Sequence, residues 1–269
     1  MVEFEAMSGD QLDSALLLSK LETAVLGREM RVYDSVSSTQ DEARQWVTQG
    51  APHGALILAE EQTSGRGRLG RLWHSPKGKG VWMSIVLKSD TPFLYPPQLT
   101  LLSAVALCRA VRILTGLDVG IKWPNDLLIG EKKVSGILLE SVETKAKETV
   151  IVAGIGISVN LLLNDYPESL KLKATSLKIE SGKTIDRQQL IVIFLKQFED
   201  LFELYLREGF SPILTLWEAH SLTLNREVSL RTPKGILTGL AVRLDDTGAL
   251  ILRASDGNEQ KVFSGDIIF

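Results

Sequence analysis

The centre of the chain alternates apolar runs with short polar turns, and this pattern constrains the fold more than any other feature. Residues 119–130 read as two short strands around an interruption at 123–126, and residues 134–143 and 149–160 read as two longer strands. Short turns such as GEKK and TKAKE typically join neighbouring strands into hairpins. The successive hairpins therefore predict an antiparallel sheet in this region.

Helical signals surround the predicted sheet. Pro96 and Pro97 open a predicted helix over residues 97–115, which ends at Gly116. Apolar residues at helical spacing predict a second long helix over residues 186–208. The remaining predictions are helices over residues 10–26, 38–50 and 214–219, strands over residues 29–34, 55–61 and 81–88, and a loop over residues 161–185.

The pattern changes near residue 222, where short strands begin to alternate with tight turns up to the C-terminus. About 45 residues of this kind predict a small closed β-barrel and not a sandwich. The predicted fold is therefore α+β, a mixed or antiparallel sheet flanked by helices, followed by a small barrel. The predicted organisation is an N-terminal helical extension (1–28), a main domain (29–221) and the barrel (222–269).

The composition is that of a soluble globular protein. With 44% hydrophobic and 23% charged residues among 269, the chain can bury a sizeable core. Its net charge of −3 argues against a general nucleic-acid coat protein. Cys108 is the one cysteine, which favours a reducing compartment, and the three histidines show no metal-binding spacing. No secretory signal is expected at the N-terminus and no stretch is expected to reach membrane-spanning length, so we predict a cytoplasmic protein.

Residues 62–80 form a segment rich in glycine and positive charge inside this mildly acidic chain. The segment reads QTSGRGRLGRLWHSPKGKG and contains five cations and no acid. Backbone N–H groups in a glycine-rich turn, together with arginine forks, suit phosphate oxygens. Trp73 favours stacking on a nucleobase, although a tryptophan in a loop is more often a packing anchor. Composition alone supports two interpretations about equally, which are phosphate capture by a loop that orders on binding and a solvated flexible loop.

The segment KWPND interrupts two predicted strands. Lys122 and Asp126 flank the interruption, so they either direct a cation and a Mg²⁺ ligand into one cleft or belong to a tight turn. Ser38 and Thr39 begin a predicted helix, where they either cap it or bind a small polar group.

Glycines within the predicted strands form a further candidate. Gly136, Gly154 and Gly156 indicate either close approach of a ligand or β-bulges. Lys133 is either a cation at the start of a strand or a solvated turn residue, and Asn160 ends a strand where it is able to read an adenine edge. The structural interpretations are the stronger ones for these residues.

Taken together, these segments resemble the biotin protein ligase family. The matching segments follow the family order, and they are SSTQ (37–40), EEQTSGRGRLGRLWHSP (60–76), KWPNDLLI (122–129), KKVSGILLE (132–140) and GIGISVN (154–160). The combination of GRGRxGRxW with a downstream KWPND is highly specific. The resemblance implies a catalytic domain of the class II aminoacyl-tRNA synthetase and biotin ligase type, followed by an SH3-like barrel.

The resemblance also implies a reaction of two steps, with biotin and ATP as substrates and Mg²⁺ as a cofactor. The carboxylate of biotin attacks the α-phosphorus of ATP, which gives biotinyl-5′-AMP and pyrophosphate. A lysine of an acceptor then takes the biotin as an amide, and in the family this acceptor is a biotin carboxyl carrier domain, usually of acetyl-CoA carboxylase. Leu69 stands where some relatives carry arginine, which we interpret as variation within the family.

Individual roles follow from the same resemblance. The implied catalytic residues are Lys122, Arg66 and Arg68. The implied biotin site consists of Ser38, Thr39, Gln40, Gln62, Arg66, Gly67, Arg68, Lys122, Lys133 and Gly136. The implied ATP site consists of Arg71, Trp73, His74, Ser75, Asn125 and Asn160, with Asp126 as the magnesium ligand.

The sequence also bears on partners and on competing functions. Many relatives begin with a DNA-binding domain, for which the first 30 residues are too few, so DNA binding is not expected. A membrane partner is not expected either. Relatives include monomers and dimers, so a homodimer is one expected state. A lipoate or octanoate ligase of the same fold is disfavoured by the Trp–Pro of KWPND and by the arginine-rich segment. A non-catalytic anion- or nucleic-acid-binding module is disfavoured by the net acidity.

Overall fold

The main domain is built on a seven-stranded sheet. The computed structural model describes residues 10–88, 95–144, 147, 149–232 and 235–268. In chain order the strands of this sheet are β1 (Met30–Tyr33), β2 (Leu56–Ala59), β3 (Gly80–Leu87), β4 (Val119–Lys122), β5 (Asp126–Ile129), β6 (Lys132–Glu143) and β7 (Thr149–Ser158). Their spatial order is β1-β2-β3-β7-β6-β5-β4. The part of the predicted N-terminal extension before residue 10 lies outside the described residues.

The hairpins predicted from the turns are confirmed, because β4, β5, β6 and β7 pair in an antiparallel manner. Among the described strands of this sheet, β1 and β2 pair in parallel and the other neighbours pair antiparallel, which makes the sheet mixed. β2 and β3 are buried along their whole length, which explains their continuous apolar runs LILA and GVWMSIVL.

Six α-helices accompany the sheet within the described residues. They are α1 (Ser14–Lys20), α2 (Thr39–Thr48), α3 (Pro96–Thr115), α4 (Leu177–Ser181), α5 (Arg187–Glu208) and α6 (Ser211–Glu218). Gly116 ends α3 in the left-handed conformation, as predicted, with φ of 71°. The prediction of a loop over residues 161–185 is wrong in part, because Ser176 caps the short helix α4 there.

The helix predicted over residues 10–26 is shorter than expected. Its N-terminal cap is Asp13 and not Asp10, and the helix stops before Leu21, whose backbone is extended. The reason lies in the following residues, because the backbone N–H groups of residues 24–26 donate to the carboxylate of Glu199 on α5. These donors are therefore satisfied by tertiary contacts instead of a helical ladder.

The core lies on both faces of the main sheet. Helices α3 and α5 cover one face, while α2 covers part of the other through a smaller cluster around Ala43, Trp46 and Val47. By length and composition α3 is able to cross a membrane, contrary to the expectation that no stretch reaches that length. Its residues are mostly buried against α5 and the sheet, which is the placement of a core helix.

The C-terminal part forms a second, antiparallel sheet. Its strands are β8 (Glu227–Thr232), β9 (Gly235–Leu244), β10 (Leu250–Arg253), β11 (Glu259–Val262) and β12 (Asp266–Ile268), in the spatial order β11-β10-β9-β8-β12. This arrangement is consistent with an SH3-like domain, although no pairing between β11 and β12 closes a barrel within the described residues.

The second sheet packs directly on the main domain. Leu230 and Leu250 belong to the same hydrophobic cluster as the residues of α3 and α5. The indole of Trp123 donates a hydrogen bond to the carbonyl of Gly248 at 3.2 Å. This contact connects the turn between β4 and β5 to the C-terminal sheet, at the side of the molecule that holds the cavity described next.

Candidate active site

A cavity of about 750 Å³ lies between the main sheet and the C-terminal sheet, which is within the usual size range of small-molecule sites. Its cover is the segment of residues 62–79 between β2 and β3, which we call the flap. The predicted site residues that line the cavity are Ser38, Thr39, Gln40, Gln62, Arg66, Gly67, Arg68, Arg71, Trp73, His74, Lys122, Asn125, Asp126, Lys133 and Gly136. The structure thus brings together residues that are far apart in the sequence.

One end of the cavity carries neutral hydrogen-bonding groups. The side-chain oxygen of Gln62 accepts from the backbone N–H of Thr39 at 2.9 Å and from its hydroxyl at 3.1 Å. The hydroxyl of Ser84 in turn donates to that of Thr39 at 2.8 Å. Ser38 caps α2 by accepting from the N–H of Gln40 at 3.3 Å. The capping prediction for Ser38 is confirmed, and this end is preorganised by internal bonds.

The side chain of Gln40 is only partly satisfied. Its amide N–H donates to the carbonyl of Leu138 at 2.9 Å, while its buried oxygen Oε1 has no partner within the described residues. A buried acceptor without a partner is costly in a native protein and calls for an explanation. Because Gln40 lines the cavity, a ligand N–H is the partner that its position favours.

The strand glycines allow side chains to approach the sheet closely. A Cβ atom on Gly154 would lie 2.9 Å from the amide of Gln40, and one on Gly156 would lie 2.3 Å from the indole of Trp73. Gly136 is the direct partner of Gly156 across β6 and β7. The sequence predicted close approach of a ligand or bulges, whereas the groups that approach these glycines in the structure are protein side chains, which fit only without Cβ atoms.

The flap folds back on itself as a small hairpin. The N–H of Trp73 donates to the carbonyl of Gly65 at 2.8 Å, and the N–H of Gly67 donates to that of Arg71 at 2.7 Å. At the tip, Leu69 has φ of 58° and its side chain is 75% exposed. A leucine in the left-handed region is strained by about 1–3 kcal/mol, and an exposed side chain offers no packing to offset that strain.

Acidic residues outside the flap hold both sides of its tip. Arg66 makes a two-pronged ion pair with Asp41 on α2, with both N–O distances at 2.7 Å. This pair lowers the pKa of Asp41, chiefly through the hydrogen bond to Arg66. Arg71 pairs with Asp266 on β12 of the C-terminal sheet. The flap therefore spans the cavity from α2 to the C-terminal sheet.

Arg68 differs from these two flap arginines. Its guanidinium donates to the side-chain oxygen of Asn125 at 2.9 Å and to the carbonyl of Gly265 at 3.4 Å, both of which are uncharged. Burial is the main influence on this group and lowers the pKa of Arg68. A buried guanidinium that contacts neutral oxygens is well suited to receive an anion.

Lys122, Lys133 and Asp126 meet at the turn between β4 and β5. Lys133 forms an ion pair with Asp126 at 2.6 Å. Burial lowers the pKa of Lys122, and this effect outweighs the attraction of nearby Asp126. The two ammonium groups and Arg68 thus share the cavity with the carboxylates of Asp126 and Asp266, both of which are already paired.

The aromatic and histidine side chains of the flap also face the cavity. The ammonium of Lys133 lies 5.2 Å from the centre of the Trp73 ring, and the indole N–H of Trp73 is buried without a partner within the described residues. His74 contacts the carbonyl of Asp165 through Nε2 at 2.7 Å. This contact fixes the direction of the ring at the edge of the cavity.

Two predicted residues do not line the cavity. Ser75 accepts a hydrogen bond from the Gln62 amide at 3.0 Å, so it supports a lining residue from behind. Asn160 is buried. Its side-chain nitrogen donates to the carbonyl of Ile185, and its side-chain oxygen accepts from the N–H of Ile185, both at 2.9 Å. The amide of Asn160 is thus committed to the framework, so the structure does not bring it to the predicted adenine contact.

Ser158 lines the cavity, although it was not among the predicted site residues. Residues 154, 156 and 158 lie on one face of β7, and this strand ends at Ser158. Asn160 has the same parity but lies beyond the end of the strand and does not line the cavity. The two-residue period alone therefore does not distinguish the two residues.

Several other lining residues were not predicted. They are the apolar Met83, Ile137, Leu138 and Ile155, the rim residues Tyr166, Leu170 and Lys173, and Arg231, Asp266, Ile267 and Ile268 of the C-terminal sheet. The apolar residues form a wall beside the neutral end of the cavity. The contribution of the C-terminal sheet shows that the site lies between the two sheets.

A buried ion pair anchors the base of the flap. Arg187 of α5 donates to Glu60 at 2.7 Å and to the carbonyl of Gly80 at 3.2 Å, so it contacts the residues on both sides of the flap. Its Nε also pairs with Asp10 at 3.0 Å. This network fixes where the flap leaves and rejoins the sheet.

Few side chains able to bind a metal line the cavity among the described residues. No cluster of three or more histidine, cysteine or acidic side chains able to hold a metal occurs among the described residues. The two carboxylates that line the cavity are already paired, Asp126 with Lys133 and Asp266 with Arg71. The donor set therefore does not fit a metal held by protein ligands alone.

Comparisons with known proteins agree with this geometry. The Biotin/lipoate A/B protein ligase family matches residues 32–160, and the Biotin protein ligase C terminal domain matches residues 223–269. The bifunctional ligase/repressor BirA of Bacillus subtilis is 42% identical over 247 residues, which cover 92% of this chain and 76% of that protein.

Two further relatives are also named as biotin ligases. Biotin–[acetyl-CoA-carboxylase] ligase of Paracoccus denitrificans is 34% identical, over 82% of this chain and 93% of that protein. The solved structure of biotin protein ligase from Aquifex aeolicus in complex with biotin and ATP aligns with a TM-score of 0.79 and 31% identity, over 90% of this chain and 98% of that chain. This chain belongs to the biotin protein ligase family.

Proposed function

We propose that this protein activates biotin with ATP to biotinyl-5′-AMP and transfers the biotin to a lysine of a carboxyl carrier domain. The observation that carries the proposal is that one cavity beneath a common flap is lined both by neutral hydrogen-bonding groups, beside Thr39 and Gln62, and by the cations Lys122, Lys133 and Arg68. Biotin is a mostly neutral molecule with one carboxylate, whereas ATP carries its charge on the phosphates. The two sets of groups therefore suit the two substrates, and the carboxylate meets phosphorus between them.

The neutral end suits the ureido ring of biotin. The unpartnered oxygen of Gln40 accepts a ureido N–H, and the hydroxyls of Ser38 and Thr39 offer further partners in this proposal. The wall made by Met83 and Ile155 contacts the apolar part of the molecule. Gln62 and Ser75 keep these groups in place through the hydrogen bonds described above.

The cations suit the reacting groups. Lys122 and Arg68 hold the biotin carboxylate and the α-phosphate, two anions that would otherwise repel each other. A carboxylate oxygen bonds to the α-phosphorus as the bond to the pyrophosphate oxygen breaks. The two cations offset the charge that builds on the phosphoryl oxygens, and their positions are fixed before the reaction begins.

The flap completes the site in the proposed cycle. An acyl adenylate hydrolyses in water, so a cover that excludes water preserves it until the acceptor arrives. Arg66 and Gly67 lie on the biotin side of the flap, while Arg71, Trp73 and His74 face the nucleotide. In the second step the amine of the acceptor lysine attacks the biotinyl carbonyl, and AMP leaves.

In this proposal Mg²⁺ is bound to the phosphates of ATP when ATP enters the cavity. Mg²⁺ commonly binds through substrate phosphates and only one or two carboxylates, so ATP arrives as its magnesium complex. Asp126 lines the cavity and pairs with Lys133 through one carboxylate oxygen, and its role as a magnesium ligand stays a prediction.

A direct test is ATP–pyrophosphate exchange in the presence of biotin, of lipoate or of neither acid. We expect exchange that depends on biotin, followed by biotin transfer to a carboxyl carrier domain that mass spectrometry detects on one lysine. Faster exchange with lipoate would overturn the proposal in favour of a lipoate ligase. No exchange together with salt-dependent binding to nucleic acid would favour a non-catalytic module.

The cellular setting remains part of the proposal. We place the protein in the cytoplasm, where its buried single Cys108 stays reduced and carboxyl carrier domains are made. The domain boundaries at residues 28 and 221, the lack of DNA binding and a homodimer stay predictions. Analytical ultracentrifugation with and without biotin and ATP measures the oligomeric state.

A further inference from the structure

The C-terminal sheet contributes two charged side chains to the cavity. Arg231 lies on β8 and Asp266 on β12, and both line the cavity. The two residues are direct partners in the antiparallel register. Side chains of directly opposed residues project to the same face of a sheet, and here this is the face toward the cavity.

These two side chains differ in what they already bind. The carboxylate of Asp266 is held by Arg71 of the flap. Arg231 makes no ion pair or hydrogen bond through its side chain within the part of the chain that the structure describes. Arg231 therefore lines the cavity opposite a carboxylate that Arg71 already holds.

Most other cations of the cavity are differently placed. Three of them already hold a carboxylate, in the pairs Arg66–Asp41, Arg71–Asp266 and Lys133–Asp126. Arg68 is bonded to the neutral oxygens of Asn125 and Gly265. An anion that enters beside Arg231 therefore breaks no existing ion pair.

The position of Arg231 indicates which anionic group of the substrates would lie beside it. Arg68 reaches the carbonyl of Gly265, so the flap and the C-terminal sheet meet at this cation. The neutral groups around Thr39 and Gln62 lie at the α2 end, where the flap is held through Asp41. A phosphate chain that extends away from the reacting carboxylate therefore points toward the C-terminal sheet.

We propose that Arg231 binds the β- and γ-phosphates of ATP and retains them as pyrophosphate leaves. This inference rests on the proposed function, since it requires ATP in the cavity. As the carboxylate oxygen of biotin bonds to the α-phosphorus, the electron pair of the broken P–O bond stays on pyrophosphate. Arg231 donates charge-assisted hydrogen bonds to this group, which makes it a substrate-binding residue supplied by the second sheet.

The test compares Arg231→Ala and Arg231→Lys with the matched control Arg243→Ala. Arg243 is also an arginine of the C-terminal sheet, but it pairs with Glu259 and does not line the cavity. We expect Arg231→Ala to raise the KM for ATP and for pyrophosphate about tenfold, the effect of one exposed charged hydrogen bond. The KM for biotin should stay unchanged, Arg231→Lys should recover part of the loss, and Arg243→Ala should match the wild type.

Ionic strength gives a readout that a merely structural role would not move. If Arg231 attracts phosphate, the KM for ATP should rise less steeply with salt in Arg231→Ala than in the wild type. Wild-type protein without biotin-dependent exchange would overturn the proposed function itself. An active wild type with unchanged nucleotide constants in Arg231→Ala would overturn only the role of Arg231. Equal losses of ATP and biotin affinity would likewise contradict it, because they indicate a general disturbance of the cavity.

Discussion

Buried cations in this protein are accommodated in two opposite ways. Arg187 is 1% exposed and is paired with both Glu60 and Asp10 at the base of the flap. Arg68 is half-buried, and its guanidinium contacts the neutral oxygens of Asn125 and Gly265. The charge of Arg187 is thus balanced by two bound carboxylates, whereas the hydrogen-bond acceptors of Arg68 carry no charge.

The difference shows which buried charges indicate a binding site. A buried ion is expensive unless it is paired, so a compensated pair such as Arg187–Glu60 is explained by structure alone. A buried cation that meets only neutral acceptors keeps part of that cost in the ligand-free protein. An entering anion removes the cost, so incomplete compensation marks the functional end of the cavity.

The largest expected effect comes from removing the charge of Arg187. Arg187→Ala leaves Glu60 buried without its cation, and we expect a loss of about 3–5 kcal/mol in the free energy of unfolding. The loss follows from an uncompensated buried carboxylate at the base of the flap. Urea unfolding followed by circular dichroism measures it.

Lys196→Ala provides the matched control for this substitution. Lys196 pairs with Asp200 on the exposed side of α5, where an ion pair contributes little. We expect a change within about 0.5 kcal/mol for this variant. A similar change in Arg187→Ala would remove the distinction between the two kinds of buried cation.

The second prediction concerns a lysine of the cavity. Lys122→Ala should keep the fold but slow biotin-dependent pyrophosphate exchange by roughly 10²–10³, the scale of losing one preorganised charge. The free energy of unfolding should change by no more than about 1 kcal/mol, because burial already disfavours the charged form of Lys122. Lys132→Ala is the control, since Lys132 is exposed on β6 and does not line the cavity. Wild-type exchange in Lys122→Ala would exclude Lys122 from the chemistry.

The third prediction concerns the flap. Its tip holds Leu69 in a strained backbone conformation, and the two sides of the tip depend on the partly exposed pairs Arg66–Asp41 and Arg71–Asp266. We expect backbone N–H groups of residues 64–78 to exchange with solvent at least about tenfold more slowly when biotin and ATP are bound. Hydrogen exchange with mass spectrometry measures this, and β3 provides the internal control. Equal exchange in both states would show that the flap does not order on binding.

Much of the fold could be predicted from local signals, and so could the choice of flap residues. The turns between residues 119 and 160 predicted the hairpins because register and turn length are local properties. The cations of residues 62–80 were evident from composition. The pairing of Arg66 with Asp41 was not, since it depends on where α2 lies relative to the flap.

Other features depended on packing that no local pattern carries. Asn160 was chosen by residue type, whereas the end of β7 at Ser158 decides which side chain faces the cavity. The helix predicted over residues 10–26 ends early because Glu199 binds the backbone of the following loop. Arg231 and Asp266 join the site because the second sheet packs against the turn that contains Trp123.

The smallest expected effect concerns a third way in which burial acts on an ionisable side chain, which is to keep it uncharged. His53 stacks on Phe202, and its Nδ1 accepts a hydrogen bond from the N–H of Lys88 at 3.0 Å, so this nitrogen carries no proton. Burial lowers the pKa of His53 below 6.5; Lys88 acts in the same direction, and Glu199 opposes it. The imidazole therefore avoids the problem of Arg187 and Lys122 by remaining uncharged.

This lowered pKa makes stability depend on pH with a definite sign. Below pH 6.5 the unfolded chain binds a proton at His53 more readily than the folded protein does. The stability contributed by the neutral ring is thus complete above pH 6.5 and is lost as the pH falls toward the folded pKa. His53→Gln keeps an acceptor for the N–H of Lys88 but has no group that titrates in this range. The free energy of unfolding of this variant should therefore fall less steeply between about pH 7 and pH 5 than that of the wild type. Urea unfolding of both proteins at each pH measures the slopes. Parallel slopes would show that His53 is protonated equally in both states, and burial would then leave its charge undisturbed.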